Sequence, residues 1–145
     1  MFQKGLMLGL GTDGYTNDMF ESYKVANIIH KHVTGDPNEG WAEIPVMLFD
    51  NNHKMANRYF DKKIGVLEKG ASADVIVTDY NPLTPMNASN INGHCVFGMS
   101  GRSVVTTMCA GKILMQDRKL TSLDENEIMA KSREQAAGLW KRINA

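Results

Sequence analysis

The chain has 145 residues, and its sixteen lysine and arginine residues balance its sixteen aspartate and glutamate residues, so the formal net charge is zero. This balance argues against a nucleic-acid-binding protein, and an apolar fraction of 43% argues against a disordered chain. The length is too small for a complete (β/α)8 barrel, which typically needs about 250 residues.

The amino-terminal part of the chain predicts a strand followed by a helix. The continuous apolar run Gly5–Leu10 is typical of a strand that is buried on both faces, as in a parallel sheet. From Asp18 to Val33, apolar residues recur every three or four positions, which predicts an amphipathic helix. Thr16, Asn17 and Asp18 are all available as the N-cap of this helix.

Further helices are predicted near the middle and at the end of the chain. A cluster of helix-breaking residues at 34–40 precedes two helical segments, Trp41–Asn51 and Asn52–Phe60, which are separated at the asparagine pair. The capping-box pattern Ser122–Glu125 then predicts a C-terminal helix over about residues 124–142. Basic and acidic residues alternate along this last helix, as expected of a solvated face.

The region between these helices is predicted to be rich in strands. A turn at Ile64–Gly70 leads into the β-branched segment Ala73–Asp79. Ala110–Gly111 predicts a tight hairpin turn. Three further strands are expected, at His94–Met99, Val104–Cys109 and Lys112–Gln116.

The cysteines and the longest uncharged segment indicate the cellular compartment of the protein and whether the chain crosses a membrane. Cys95 and Cys109 form no CxxC pair and no zinc-binding pattern, which favours reduced, buried thiols in a cytoplasmic protein. The uncharged segment 80–101 contains two prolines and four asparagines, so it is unsuited to crossing a membrane. No membrane partner is expected.

A glycine pattern raises the possibility of a nucleotide site. Gly9, Gly11 and Gly14 match GxGxxG between the predicted strand and helix, and Asp36 follows roughly twenty residues later. However, Asp36 lies in a loop with no second strand before it, and Asp13 would place a negative charge among the amides that bind pyrophosphate. A nucleotide-binding module is therefore the less favoured alternative.

Asp13 itself is the stronger candidate for a functional side chain. A carboxylate at the C-terminal end of a barrel strand points into the mouth where barrel active sites are built, and there it can bind a metal or accept a proton. On spacing alone, however, the favoured interpretation is that Asp13 serves as the N-cap of the following helix.

The histidines do not form a recognisable metal site. His30 and His32 lie in the helical pattern, where side chains two positions apart diverge by about 200° and cannot share a ligand. Their position near the helix C-terminus is explained by the helix dipole. His53 and His94 have no partner nearby in sequence.

Four sequence blocks, taken in order, resemble the amidohydrolase superfamily. The likeness is to the C-terminal part of its aminohydrolase and chlorohydrolase branch, with an SsnA-like relative favoured because the segment between Gly14 and Asp18 is short. The block at 64–77 is specific for the superfamily, and the likeness covers nearly the whole chain. The blocks are Leu8–Gly14, Asp18–Glu21, Ile64–Val77 and Ala110–Asp117.

The resemblance implies an α/β fold with a β-rich part. Residues 1–61 would contain the last strand and helices of a TIM-type (β/α)8 barrel, and residues 62–120 would form the C-terminal share of a small β-sandwich. Residues 121–145 would form the closing helix. Asp13 matches the acid at the end of the eighth barrel strand, which in the family contacts the metal and shuttles protons to and from the attacking water.

The function implied is that of a metal-dependent hydrolase acting on C–N or C–Cl bonds. The family's other metal ligands, which are histidines, would lie upstream of the residues present, so the parent enzyme would bind zinc or iron while this chain alone would be inactive. A purine, pyrimidine or triazine-like small molecule is the expected substrate. Unpaired strand edges predict a homo-oligomer or dependence on the missing N-terminal part, and a non-catalytic binding or oligomerisation domain is the alternative.

Overall fold

The computed structural model describes residues 4–144, so the outermost positions of the first and last expected domains lie outside the described residues. Five α-helices, one π-helix, one 3-10 helix and four strands lie wholly within this range. The helices are α1 (Met19–Thr34), α2 (Glu43–Pro45), a π-helix (Val46–Asn51), α3 (Asn52–Ala56), α4 (Ile91–Phe97), a 3-10 helix (Gly101–Ser103) and α5 (Glu125–Ile143). The strands are β1 (Val75–Thr78), β2 (Val104–Cys109), β3 (Lys112–Gln116) and β4 (Lys119–Leu120).

The first predicted helix is confirmed as α1, and Asp18 is its N-cap. The Asp18 side chain accepts hydrogen bonds from the backbone amides of Phe20 and Glu21, which have no partner within the helix. The helix ends where Gly35 adopts a φ of 69° and donates its amide to the Lys31 carbonyl. Both ends therefore follow from local sequence.

The two helical segments predicted after the loop form one continuous stretch whose geometry changes at the asparagine pair. Residues of the π-helix run to Asn51, and α3 starts at Asn52, so the predicted break is present as a change of helix type rather than a gap. The stretch ends at Ala56, four residues before the predicted end at Phe60.

The strand expected at Gly5–Leu10 is not formed within the described residues. A strand requires a hydrogen-bonded neighbour, and all four strands described belong to one antiparallel sheet formed later in the chain, in the order β1, β2, β3, β4. The Gly5–Leu10 backbone is instead held by side chains of the π-helix and α3.

The hairpin between β2 and β3 is confirmed at the predicted residues. Cys109 pairs with Lys112 across it, and the turn residues Ala110 and Gly111 have φ values of 50° and 81°. Positive φ at both turn positions is characteristic of the type I′ hairpin turn, whose twist matches that of the flanking strands. The strand predicted at Ala73–Asp79 is also present, as β1.

The strand expected at His94–Met99 is wrong, because this segment lies largely in α4. Cys95, Val96 and Met99 are buried together against Tyr23 of α1, and positions i, i+1 and i+4 share a face only in a helix. Cys95 is buried as expected, but in a helix. Cys109 lies at the end of β2 and is exposed, so the expectation of two buried thiols fails there.

The C-terminal helix is confirmed as α5, but its cap differs from the predicted capping box. Asp124, not Ser122, is the N-cap, and its carboxylate accepts the Glu127 amide at 3.0 Å. Asp is as good a cap as Ser, and it places a negative charge at the positive end of the helix dipole.

The core is small, and it lies where α1, α2 and α4 meet. It consists of Tyr23, Ile44, Cys95, Val96 and Met99, each at most 7% exposed. Burial raises the pKa of Tyr23 to about 12. In the described part of the chain, no helix is long and apolar enough to cross a membrane.

Candidate active site

Asp13 lies in the connection between Leu10 and α1, with its carboxylate exposed. Its φ is 50°, in the left-handed region, which is uncommon for non-glycine residues but which aspartate adopts more readily than most. The side chain lines a cavity of about 400 Å³ beside the first turns of α1. The connection therefore holds the carboxylate at the edge of an open pocket.

The structure removes the N-cap explanation for Asp13. Asp18 caps α1, and the Asp13 carboxylate accepts only the amide of its neighbour Gly14, at 2.6 Å, among the hydrogen bonds of the described residues. Thr16 receives the Asp18 amide at 3.0 Å and donates its hydroxyl to Glu21 at 2.9 Å. Asp13 therefore does not act as the N-cap of α1, and its carboxylate is available for another role.

The same geometry counts against the nucleotide-binding alternative. The Gly14 amide is occupied by the Asp13 carboxylate, and the amides in the first turn of α1 are occupied by Asp18. A side chain at Gly9 would clash with Asn52 and Met55, so Gly9 is needed for close packing on α3. Nothing lies within 4 Å of a Cβ added at Gly11 or Gly14.

Two asparagines hold the segment that leads to Asp13. Asn52 accepts the Leu10 amide at 3.0 Å and donates to the Leu10 carbonyl at 2.8 Å, as a neighbouring strand would. Asn51, which is buried, donates to the Leu8 carbonyl at 2.8 Å. From the sequence, this pair predicts only a helix break. Two adjacent amide side chains directly after the apolar segment Val46–Phe49 and Asp50 are the signal that could have indicated a backbone-binding role.

We expect Asn52→Ala to lower the free energy of unfolding by about 1–3 kcal/mol, because it leaves both backbone groups of Leu10 without partners. Urea unfolding followed by circular dichroism measures this change. Asn38→Ala is the matched control, since Asn38 is exposed and should change stability by less than about 0.5 kcal/mol. Equal stability of the two variants would contradict the bridging role of Asn52.

Asp18 ties the site to the C-terminal half of the chain. Its Oδ1 accepts the Phe20 and Glu21 amides, while its Oδ2 accepts the Gly101 amide at 2.6 Å. A Cβ on Gly101 would lie 2.8 Å from that oxygen, so only glycine permits this approach. One carboxylate thus fixes the start of α1 against the turn that precedes β2.

Within residues 4–144, Asp13 belongs to no group of three side chains able to hold a metal ion. His53 Nδ1 lies 2.6 Å from the Phe49 carbonyl, and His94 Nδ1 lies 2.8 Å from the Tyr80 hydroxyl. A catalytic zinc site normally has three protein ligands and a water. The residues described here supply at most one of those ligands at Asp13, so they do not by themselves fit a catalytic metal.

Comparison with curated proteins finds deaminases. The chain is 33% identical over 149 residues to the 5'-deoxyadenosine deaminase of Methanosarcina barkeri, covering 100% of this chain and 34% of that protein. It is 33% identical over 146 residues to the 5-methylthioadenosine/S-adenosylhomocysteine deaminase of Dictyoglomus thermophilum, covering 98% of this chain and 34% of that protein. The chain therefore spans about a third of the length of these relatives.

Solved structures share the fold. An adenosine deaminase from Xanthomonas campestris with bound zinc has a TM-score of 0.69 at 22% identity, covering 85% of this chain and 28% of that one. A triazine hydrolase variant has a TM-score of 0.66 at 20% identity, covering 92% of this chain and 30% of that one. The sequence also matches the Amidohydrolase family over residues 1–114. The chain belongs to the amidohydrolase family.

Proposed function

We propose that this chain is the C-terminal portion of a metal-dependent hydrolase that removes an amino group from a purine-type nucleoside. We call the longer enzyme the parent protein. The observation that carries the proposal is the placement of Asp13, whose carboxylate lines a cavity and does not cap the helix that follows. In the parent protein, Asp13 would contact the metal and accept and return a proton.

The fold supports a division of the chain into three parts. Residues 1–61 would contribute the last strand and helix pair of the barrel, with the Gly5–Leu10 segment as that strand. Residues 62–120 would add their antiparallel sheet to the smaller β-domain, and residues 121–145 would close it as a helix. The Gly5–Leu10 segment becomes a strand only when a neighbouring strand binds its backbone.

The relatives support the substrate class. Those compared above are named as deaminases of 5'-deoxyadenosine and of methylthioadenosine or S-adenosylhomocysteine. A C–N bond to an exocyclic amino group of a purine is therefore the preferred target, ahead of a C–Cl bond or a triazine or pyrimidine ring. The metal of the parent protein would be zinc or iron, and its compartment the cytoplasm, where the free cysteines Cys95 and Cys109 stay reduced.

The chain alone should bind no metal through Asp13, because one carboxylate is too few ligands for a stable catalytic site. We expect zinc and iron measured by mass spectrometry after dialysis to be equal in the wild-type chain and the Asp13→Ala variant. Stoichiometric metal that disappears with Asp13→Ala would contradict this proposal.

We further propose that the chain, when isolated, self-associates through uncovered apolar surfaces. Ile76 and Val77 are 51% and 50% exposed, and because neighbouring strand residues point to opposite sides, both faces of the sheet are uncovered at β1. In α5 no residue is buried, and Trp140 is 59% exposed. Apolar surface of this kind is normally covered by another chain or domain.

Sedimentation velocity at micromolar concentration is expected to show dimers or larger species. Trp140→Glu should shift the distribution toward monomer, whereas Tyr15→Glu, at an exposed position outside the sheet and α5, should leave it unchanged. A single monomeric species for the wild-type chain would contradict self-association.

A further inference from the structure

A second group of potential metal ligands lies near the C-terminal end of α1, whereas the Asp13 cavity lies beside its first turns. His30 stands in the penultimate turn of α1, Glu39 lies in the loop that follows, and Glu43 begins α2. Their ligand atoms all lie within 4.8 Å of one another, and all three side chains are half-buried. Three separate elements of the chain therefore converge on one point.

The distances in this cluster suit a small divalent ion. His30 Nε2 and Glu39 Oε2 are 3.2 Å apart. Two ligands bound tetrahedrally to zinc, each about 2.1 Å from the ion, are separated by about 3.4 Å. The remaining carboxylate lies within 4.8 Å of the other two ligand atoms and would close onto the ion by a movement of at most about 1.4 Å. One imidazole and two carboxylates form a donor set that zinc accepts, with a water as the fourth ligand.

The nearby lysine does not neutralise the two carboxylates. Lys31 Nζ donates to the backbone carbonyl of Glu39, and it lies 4.5 Å from the centre of the Trp41 ring. Among the described residues, the carboxylate of Glu39 pairs only with His30, and no ion pair is present at Glu43. Two negative side chains are thus held close together without a lysine or arginine between them.

The backbone around the cluster is fixed before any ion binds. Gly40 is buried, with a φ of 83°, and its amide donates to Glu43 Oε2 at 3.1 Å. Its carbonyl accepts the Ile44 amide at 3.3 Å. The positive φ requires glycine, and the turn brings Glu39 and Glu43 to the same side. All three candidate ligands line one cavity of about 580 Å³, which leaves room for a water ligand.

We propose that His30, Glu39 and Glu43 form a zinc-binding site that is separate from Asp13 and joins the end of α1 to the start of α2. This site does not depend on the proposed deaminase function. Zinc bound here links the helix, the loop and α2, so it stabilises the folded chain over the unfolded chain.

Isothermal titration of the chelator-treated 145-residue chain with zinc chloride tests the proposal. One zinc ion per chain is expected, together with a zinc-dependent rise in the thermal unfolding midpoint. His30→Ala and Glu43→Gln should each weaken binding by at least about tenfold, since loss of a residue that only supports a ligand already costs 10–100-fold. Glu43→Gln keeps an acceptor for the Gly40 amide, so it removes the ligand charge with little effect on the loop.

Three matched variants separate this site from other ligands of the chain. His32→Ala removes the neighbouring exposed histidine, Cys109→Ser removes the exposed thiol, and Asp13→Asn removes the candidate catalytic acid. Each should bind zinc within twofold of wild type. Circular dichroism without zinc shows whether His30→Ala is folded, and Glu39→Gln replaces it if it is not.

The proposal is overturned if the wild-type chain binds no zinc at micromolar concentration, or if His30→Ala or Glu39→Gln binds as well as wild type. It is also overturned if binding disappears with Cys109→Ser, His32→Ala or Asp13→Asn. Loss with Asp13→Asn would in addition contradict the expectation that Asp13 alone holds no metal, so the outcomes for the two proposals are distinguishable.

Discussion

Asp13→Asn in the parent protein is expected to lower kcat/KM for a purine nucleoside by about 10²- to 10⁴-fold, the usual contribution of a positioned proton-transfer group. Asparagine has nearly the same size as aspartate, and its amide oxygen can still accept the Gly14 amide. It cannot accept a proton from the attacking water. Ammonia release at saturating and limiting substrate separates the loss in kcat from a change in KM.

Asp36→Asn is the matched control for that experiment. Asp36 lies in the exposed loop after α1, where its carboxylate accepts the Asn38 amide at 2.8 Å. The same chemical change at this position should alter activity by less than about twofold, because Asp36 is exposed and does not line the Asp13 cavity. Equal activity of the Asp13→Asn and Asp36→Asn proteins would exclude Asp13 as a catalytic residue.

Asp18→Ala is expected to lower the free energy of unfolding of the chain by about 2–5 kcal/mol. The change removes the N-cap of α1, worth about 0.5–2 kcal/mol, and a hydrogen bond from an ionised acceptor to Gly101, worth about 1.5–3 kcal/mol. One substitution removes both interactions because Oδ1 of Asp18 accepts the Phe20 amide of α1 while Oδ2 accepts the Gly101 amide. Urea unfolding of the wild-type and variant chains measures the difference.

Asp18→Asn separates the two contributions. Asparagine is an equally good N-cap, so this variant should retain the capping term and lose part of the charge-assisted bond to Gly101. We expect its stability to lie between those of the wild type and Asp18→Ala. A loss below about 1 kcal/mol for Asp18→Ala would show that the bridge to Gly101 contributes little.

The parts of the fold that the sequence predicted are those determined by neighbouring residues. The N-cap at Asp18 and the glycine stop at Gly35 define α1 within one residue, and the Ala110–Gly111 turn fixes the hairpin register. Each signal acts over a few residues, so it does not depend on the rest of the molecule. The same is true of α5.

The errors arise where contacts distant in sequence decide the structure. The 94–99 segment has apolar residues that suit either a strand or a helix, and packing against Tyr23 selects the helix. Gly5–Leu10 has the composition of a buried strand, but a strand also needs a partner, and the described chain offers only the side chains of Asn51 and Asn52. The composition of the segment indicates that it is buried, but it does not indicate whether a neighbouring strand is present to pair with it.

The candidate site was predictable only in part. The position of Asp13 after an apolar run makes it a candidate, but spacing alone favours an N-cap there, and its proposed catalytic role depends on the resemblance to the amidohydrolase superfamily. The sequence does not predict the proposed zinc-binding site, because the loop between His30 and Glu39 brings these two residues together. No regular spacing in the sequence indicates that contact. The proposed partners of His30, Glu39 and Glu43, lie outside its helix, whereas the sequence considers only His32 as a partner.

Ammonia release from 5'-deoxyadenosine by the 145-residue chain and by the parent protein, each supplied with zinc, is the decisive comparison. Asp13 is proposed as one residue of a catalytic centre that other parts of the parent protein complete. We therefore expect turnover by the parent protein and none above buffer by the chain. Turnover by the chain alone that disappears with Asp13→Asn would contradict this proposal.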